Sequence, residues 1–158
     1  MKKNLEAYSE TLFHLINFRN RQFKESRSMI GIDYESFVIL STIGSHYLVH
    51  STKQASDWDA VWENTRQIKA GEIYNKKKLT IFAVASILEM AKETVRRKID
   101  TLKKKKLVSY TTKLGLLPTE KSEILIKPFA TKELMSLAKF LQALKKHKSL
   151  DQLLNLKE

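Results

Sequence analysis

Val95, Ile99 and Leu102 are the large apolar residues of a stretch, about Lys92 to Lys106, that is otherwise polar and dense in charge. They recur at i, i+4 and i+7. Only an α-helix gathers that spacing on one side, because the two-residue period of a strand would send Leu102 to the face opposite Val95 and Ile99. A helix is therefore predicted here, with a core beneath those three side chains and with Glu93, Arg96, Arg97 and Asp100 turned away from it. Lys92, Arg96, Arg97, Lys98, Lys103, Lys104, Lys105 and Lys106 oppose only Glu93 and Asp100, so the outer surface of this helix is strongly cationic.

The flanking residues extend the pattern. Thr80 is placed to cap a short helix, Ile81 to Leu88, whose Ala83, Val84, Ile87 and Leu88 are expected to face inward. After the basic helix, Leu107-Val108-Ser109-Tyr110-Thr111 alternates as a strand does, and Lys113-Leu114-Gly115 can turn it back into Leu116-Leu117. Two short helices and a β-hairpin are the expected sequence of elements.

Four glycines and two prolines in 158 residues are too few for a chain of many turns, and they point to a mainly α fold in one domain, 1–158. Leu5, Tyr8, Leu12, Leu15 and Ile16 form a helical stripe running to about Lys24, the segment from Ser26 to Gly31 reads as a break, and Asp33 is a suitable N-cap for a second helix over 34–50. The most apolar run, Phe37 to Val49, contains His46 and falls short of the roughly 20 residues that cross a bilayer, so it reads as a buried helix. The segment 50–78 is an insert or linker carrying a helix over 58–69, in which Trp58 and Trp62 stand one turn apart and form a packing face. Gly71 ends that helix, and Lys76-Lys77-Lys78 links it to the short helix that starts at Ile81. Near the C-terminus Leu134, Leu137, Leu141 and Leu144 make a heptad-like stripe suited to packing on the N-terminal one, in the same chain or a second.

The absence of cysteine removes disulfides, thiolate catalysis and cysteine zinc sites, and suits a reducing compartment. The N-terminal lysines are followed by Glu6 and Glu10 rather than an apolar signal segment, so a cytoplasmic location is expected, with no membrane partner. A net charge of +12 attracts polyanions, nucleic acid first among them, although lysines also keep helices in solution. His46 and His50 have a helical metal-ligand spacing, but no carboxylate stands nearby except Asp57 and Asp59 in the next segment, and neither a metal nor a cofactor is expected. There is no glycine-rich phosphate loop, no serine elbow and no inward carboxylate pair, so a non-enzymatic role is expected.

KETVRRKIDTLKKKKLV resembles the recognition helix and first wing strand of bacterial winged helix-turn-helix regulators, and the order of elements is similar to the MarR type. DYESFVILSTIGSHYL stands where that family has the helix before its helix-turn-helix, and LLPTEK looks like the join from wing to the next helix. The resemblance covers most of the chain outside 50–78. It implies a winged helix-turn-helix core over 79–127 with a small β-hairpin wing, and N- and C-terminal helices, 1–30 and 128–158, that form a dimerisation region. It further implies a homodimer on double-stranded DNA in transcription regulation, with Lys92, Glu93, Thr94, Arg96, Arg97, Lys103 and Lys104 at the duplex and Lys113 at the wing tip, and it leaves room for a small-molecule effector. The chain departs from the family at Ala91, where a Ser or Thr cap is usual, at Glu89, where glycine is common, in the wing, which lacks the acid-x-Arg pattern such regulators insert into a minor groove, and in the insert at 50–78. A winged helix that docks a protein partner or serves as an accessory module without sequence-specific DNA binding, and an RNA binder, are the rival readings.

Overall fold

The computed structural model describes residues 7–51 and 78–156, and within them the chain is mainly helical with one two-stranded antiparallel sheet. Leu5, the helix expected over 58–69, Trp58, Trp62, the side chain of His50 and most of the 50–78 insert lie outside the described residues. The order is α1 (Ala7–Glu25) with a π-helical turn (Ser26–Ile30), α2 (Tyr34–Ser51), α3 (Ile81–Ile87), α4 (Lys92–Lys104), β1 (Val108–Thr111), β2 (Gly115–Pro118), α5 (Glu120–Lys146) and α6 (Leu150–Leu154). The chain groups into two compact units, Ile32–Ile124 and Met1–Gly31 with Leu125–Glu158, where the sequence reading takes 1–158 as one domain. No helix among the described residues is long and apolar enough to cross a membrane.

In the unit Ile32–Ile124, Asp33 caps α2 as expected: one carboxylate oxygen accepts the Ser36 N–H at 3.0 Å and the other the Ser36 hydroxyl at 2.9 Å. Helix α2 packs on α3, α4 and β2, and Phe37, Leu40, Ile43, Val84, Val95, Ile99, Leu102 and Leu116 are buried. The buried Tyr47 hydroxyl donates to the Leu116 carbonyl, joining α2 to the hairpin by a polar bond as well. Thr80 caps α3 by accepting the Ala83 N–H at 3.1 Å.

Helix α3 rotates differently from expectation. Ile81, Val84, Ala85 and Leu88 stand at i, i+3, i+4 and i+7, which is the spacing of one helix face, and Val84 and Ala85 are buried there. Ile87 lies off that face and is 61% exposed. Its inward placement is corrected accordingly.

The hairpin pairs Val108 with Pro118 and Thr111 with Gly115. The Leu116 N–H donates outward to the Leu79 carbonyl at 2.8 Å, so the chain entering α3 lies against the far edge of β2. That approach requires glycine at 115, where φ is +75° and a Cβ would stand 2.5 Å from the Leu79 carbonyl oxygen.

Helix ends here rarely use glycine. Glu89, Lys106 and Lys148 all take positive φ, 50°, 60° and 59°. At each, the following N–H reaches back five residues, from Met90 to Ala85, Leu107 to Leu102 and Ser149 to Leu144, at 3.0, 2.9 and 3.0 Å, which is the Schellman closure. At the α4 end both Leu102 and Leu107 are buried, the apolar contact that normally accompanies this motif.

The other unit is built on an antiparallel pair, α1 against α5. Arg21 donates to the Ser136 hydroxyl at 3.1 Å, Gln22 to the Glu133 carboxylate at 2.7 Å, and Phe18 stacks on Phe140 at 5.9 Å between centroids. The expected break at Ser26–Gly31 is instead a π-helical continuation to Ile30, closed by Gly31 at φ 73° with its N–H on the Arg27 carbonyl. Helix α5 runs through Pro128 and so crosses the 127/128 boundary, then ends in the turn at His147–Ser149. Of the leucine stripe only Leu144 is buried, while Leu134, Leu137 and Leu141 are exposed.

Candidate nucleic-acid interface

Helix α4 has no side-chain cap at Ala91, and its rotation is fixed from below. Val95, Ile99 and Leu102 are fully buried, as the sequence spacing requires. Burial of such side chains is worth about 1.5–3 kcal/mol each, against at most about 1 kcal/mol for an exposed ion pair. The apolar anchor therefore decides which residues face outward, and charge is secondary.

Lys92, Glu93, Arg96, Arg97, Lys103 and Lys104 are exposed, and Thr94 is half-buried. Positions 93, 97, 100 and 104 share one ridge, and 92, 96 and 103 the ridge beside it, so the cations lie in two rows, the first interrupted by Glu93 and Asp100. Arg96 Nε is 3.7 Å from Glu93 Oε2 in a loose pair between half-exposed and exposed side chains, which leaves the rest of the guanidinium open.

Lys98 does not belong to this surface, although the sequence reading counts it among the outward charges. Its ammonium is 2.8 Å from Asp33 Oδ1 and 3.0 Å from Glu35 Oε2, both at the start of α2. Desolvation pushes the Asp33 carboxyl up, but the Lys98 hydrogen bond, the Ser36 N–H and hydroxyl and the Lys98 charge outweigh it and hold the pKa at about 2. The Lys98 ammonium is raised by its bonds to Asp33 and Glu35, against desolvation. Together the three groups carry one net negative charge, so the lysine adds nothing to the cationic field.

The far end of α4 is held by carbonyl contacts. Lys121 Nζ donates to the Lys105 carbonyl at 2.9 Å and the Thr119 hydroxyl to the Lys106 carbonyl at 2.6 Å. Thr119 also accepts the Ser122 N–H at 3.2 Å while Ser122 Oγ accepts the Thr119 N–H at 3.1 Å, a reciprocal cap that starts α5. The side chains of Lys103 to Lys106 stay exposed.

Lys113 stands apart from α4, exposed in the turn between β1 and β2. That turn is braced by Thr111 Oγ1, which accepts the Leu114 N–H at 3.0 Å, and by Lys78 Nζ, which donates to the Thr112 carbonyl at 2.9 Å. Lys78, read from sequence as linker, is thus a support of the hairpin tip. No local signal marks it, since its partner lies 34 residues on. Tyr110 is half-buried on β1. No protein-family model, curated protein or solved structure matches the chain.

Proposed function

We propose that the chain is a winged helix-turn-helix protein that binds double-stranded DNA as a homodimer and regulates transcription, in the manner of the MarR-type regulators its sequence resembles. Helices α3 and α4 form the helix-turn-helix, α4 is the recognition helix, and β1–β2 is the wing. The observation that carries this reading is the division of α4 into a fully buried apolar side and an outer side bearing Lys92, Arg96, Arg97, Lys103 and Lys104. A B-DNA major groove, about 12 Å wide, admits one such helix, with early residues at base edges and flanking lysines at phosphates. In this role Arg97 and Arg96 read bases and adjacent phosphates, and Lys113 meets the backbone from the wing.

Pairing of two chains is supported by apolar side chains that stay exposed on the α1–α5 pair: Tyr8, Leu12 and Ile16 on α1, and Leu134, Leu137 and Leu141 on α5. Such exposed stripes are ordinarily covered by another helical surface.

Selection of bound sequences from a random duplex pool tests the whole reading. A palindrome with half-sites about 10 bp apart is expected from a dimer, and affinity should fall with salt at a slope near −0.9 per phosphate neutralised. Salt-independent binding, or no enrichment, defeats it. A protein-docking role is the second reading, favoured by Phe82 and Ile87, which stand 66% and 61% exposed on α3. Loss of a protein partner in Phe82→Ser, with DNA binding absent in the parent chain, is the outcome that selects it.

A further inference from the structure

Glu10 and His14 stand one turn apart on α1, and His147 closes the C-terminal end of α5 opposite them. The three side chains offer one ligand atom each, all within 4.8 Å of one another, with Glu10 and His14 half-buried and His147 exposed. One oxygen serves both imidazoles: Glu10 Oε1 is 3.0 Å from His147 Nδ1 and 3.8 Å from His14 Nε2. We infer that Glu10, His14 and His147 form a binding site for a divalent transition metal of the zinc class, tying the start of α1 to the end of α5.

The chemistry of the donor set favours such an ion. Two imidazole nitrogens and a carboxylate oxygen are borderline ligands, suited to zinc and its neighbours rather than to calcium or magnesium, which take oxygen donors. The distances fit as well. Zinc ligands at about 2.0–2.1 Å in a tetrahedron stand about 3.4 Å from one another, so the two Glu10 contacts already bracket the required separation. The Glu10–His14 contact has to shorten by about 0.4 Å, and the two imidazoles, whose ring centroids are 6.1 Å apart, have to close as well. Three protein ligands leave the fourth position to water.

The ligands are also positioned by backbone. His14 and Glu10 are fixed by the i, i+4 geometry of α1. The His147 N–H is on the Ala143 carbonyl at 3.1 Å, and the Schellman closure at Lys148 and Ser149 fixes where its imidazole leaves the helix. The Phe13 ring stands edge-on to His14 at 5.4 Å. Without the ion Glu10 Oε1 faces both imidazoles directly, and on binding the ion takes its place between the three ligand atoms.

The test is titration of tag-free full-length chain with zinc chloride by calorimetry, with cobalt(II) absorption as a second probe. One ion per chain is expected, with the visible band of low-coordinate cobalt, and a melting temperature raised by several degrees in zinc. His14→Gln, His147→Gln and Glu10→Gln each weaken binding by at least about tenfold, since removing even supporting contacts of a metal ligand costs that much. His46→Gln leaves it unchanged. In case a variant fails to fold, imidazole nitrogen resonances of the unmodified chain provide an independent readout. Zinc shifts those of His14 and His147 and spares His46. Absence of stoichiometric binding, or binding and shifts that ignore these residues, overturns the proposal.

Discussion

The Lys98 ammonium lies 2.8 Å from the Asp33 carboxylate, joining the middle of α4 to the cap of α2 across 65 residues of sequence. The bond makes one carboxylate serve as both helix cap and counter-ion, and it holds the Asp33 pKa at about 2 against an ordinary 3.8. A depressed acid contributes stability that is complete above its unfolded value and is lost as pH falls through the folded one. Urea unfolding measured from pH 6 downward should therefore show this contribution disappearing between about 3.8 and about 2. In Lys98→Met the Asp33 carboxyl titrates nearer its ordinary range, so the pH-dependent loss becomes smaller. Because the Asp33 side chain is 44% exposed, the charge pair is worth only about 1 kcal/mol or less. Asp33→Ala, which also removes the cap, loses about 1–2 kcal/mol at pH 7. The raised Lys98 ammonium has the opposite sign, and its contribution fades as pH climbs past its ordinary 10.5.

The same pair separates two kinds of cation on α4. Arg97 is exposed with no partner on α2 among the described residues, whereas Lys98 is held by two carboxylates. On the DNA-binding proposal, Arg97→Ala should weaken binding to a selected duplex by about 1–3 kcal/mol, and Lys98→Met by less than about twofold once both proteins are shown to be folded. Fluorescence anisotropy against labelled DNA distinguishes them. Equal losses in the two variants mean that the buried side of α4, not its outer ridge, carries the effect.

The turn between α3 and α4 carries a removable strain. Glu89 holds φ at 50° so that Met90 can close on Ala85, a conformation that costs an L-residue about 1–2 kcal/mol and glycine little. Glu89→Gly should raise the unfolding free energy by up to about 1 kcal/mol in urea melts, the gain being reduced by the greater freedom of glycine in the unfolded chain. Glu89→Asn, which tolerates this region and keeps more restraint, should move in the same direction. A decrease in both variants would show that Glu89 makes a contact worth more than its backbone strain.

Periodicity makes most of this fold legible. The spacing of Val95, Ile99 and Leu102 places the inner face of α4, and Thr80 and Asp33 announce the starts of α3 and α2, because a cap is a local event written within three residues. Ile87 escapes this reasoning because in a helix of seven residues two apolar faces fit the composition equally well, and only packing chooses. The turn at Ser26–Ile30 is hidden for the opposite reason: serine and arginine there resemble a loop, while the burial of Ser26 and Ile30 keeps the chain helical. Contacts between distant segments are illegible throughout. Nothing near Lys98 points to Asp33, and nothing near His147 points to Glu10, since both pairings exist only once helices are side by side.

Gly115 offers the most demanding check on the hairpin, because two independent constraints meet there. Its φ of +75° excludes comfortable occupation by other residues, and a Cβ would come within 2.5 Å of the Leu79 carbonyl oxygen and 3.2 Å of Lys78 Cβ. Neither neighbour can yield cheaply. Leu79 is held by its carbonyl, which accepts the Leu116 N–H at 2.8 Å, and its side chain is buried. Lys78 reaches from the same segment to the Thr112 carbonyl, so pushing it outward also loosens the hairpin tip. Gly115→Ala should therefore destabilise the chain by at least about 2 kcal/mol, more than left-handed strain alone, with the backbone clash supplying the excess. Hydrogen exchange locates the damage: the Leu116 amide should lose protection together with the β1–β2 ladder, while Val95 and Ile99 on α4 open only with global unfolding. On the DNA-binding reading, affinity should then fall less than in Arg97→Ala, because the wing is disturbed and the outer ridge of α4 is not. A Gly115→Ala protein as stable as the parent would mean that the chain before α3 does not lie against β2 in solution.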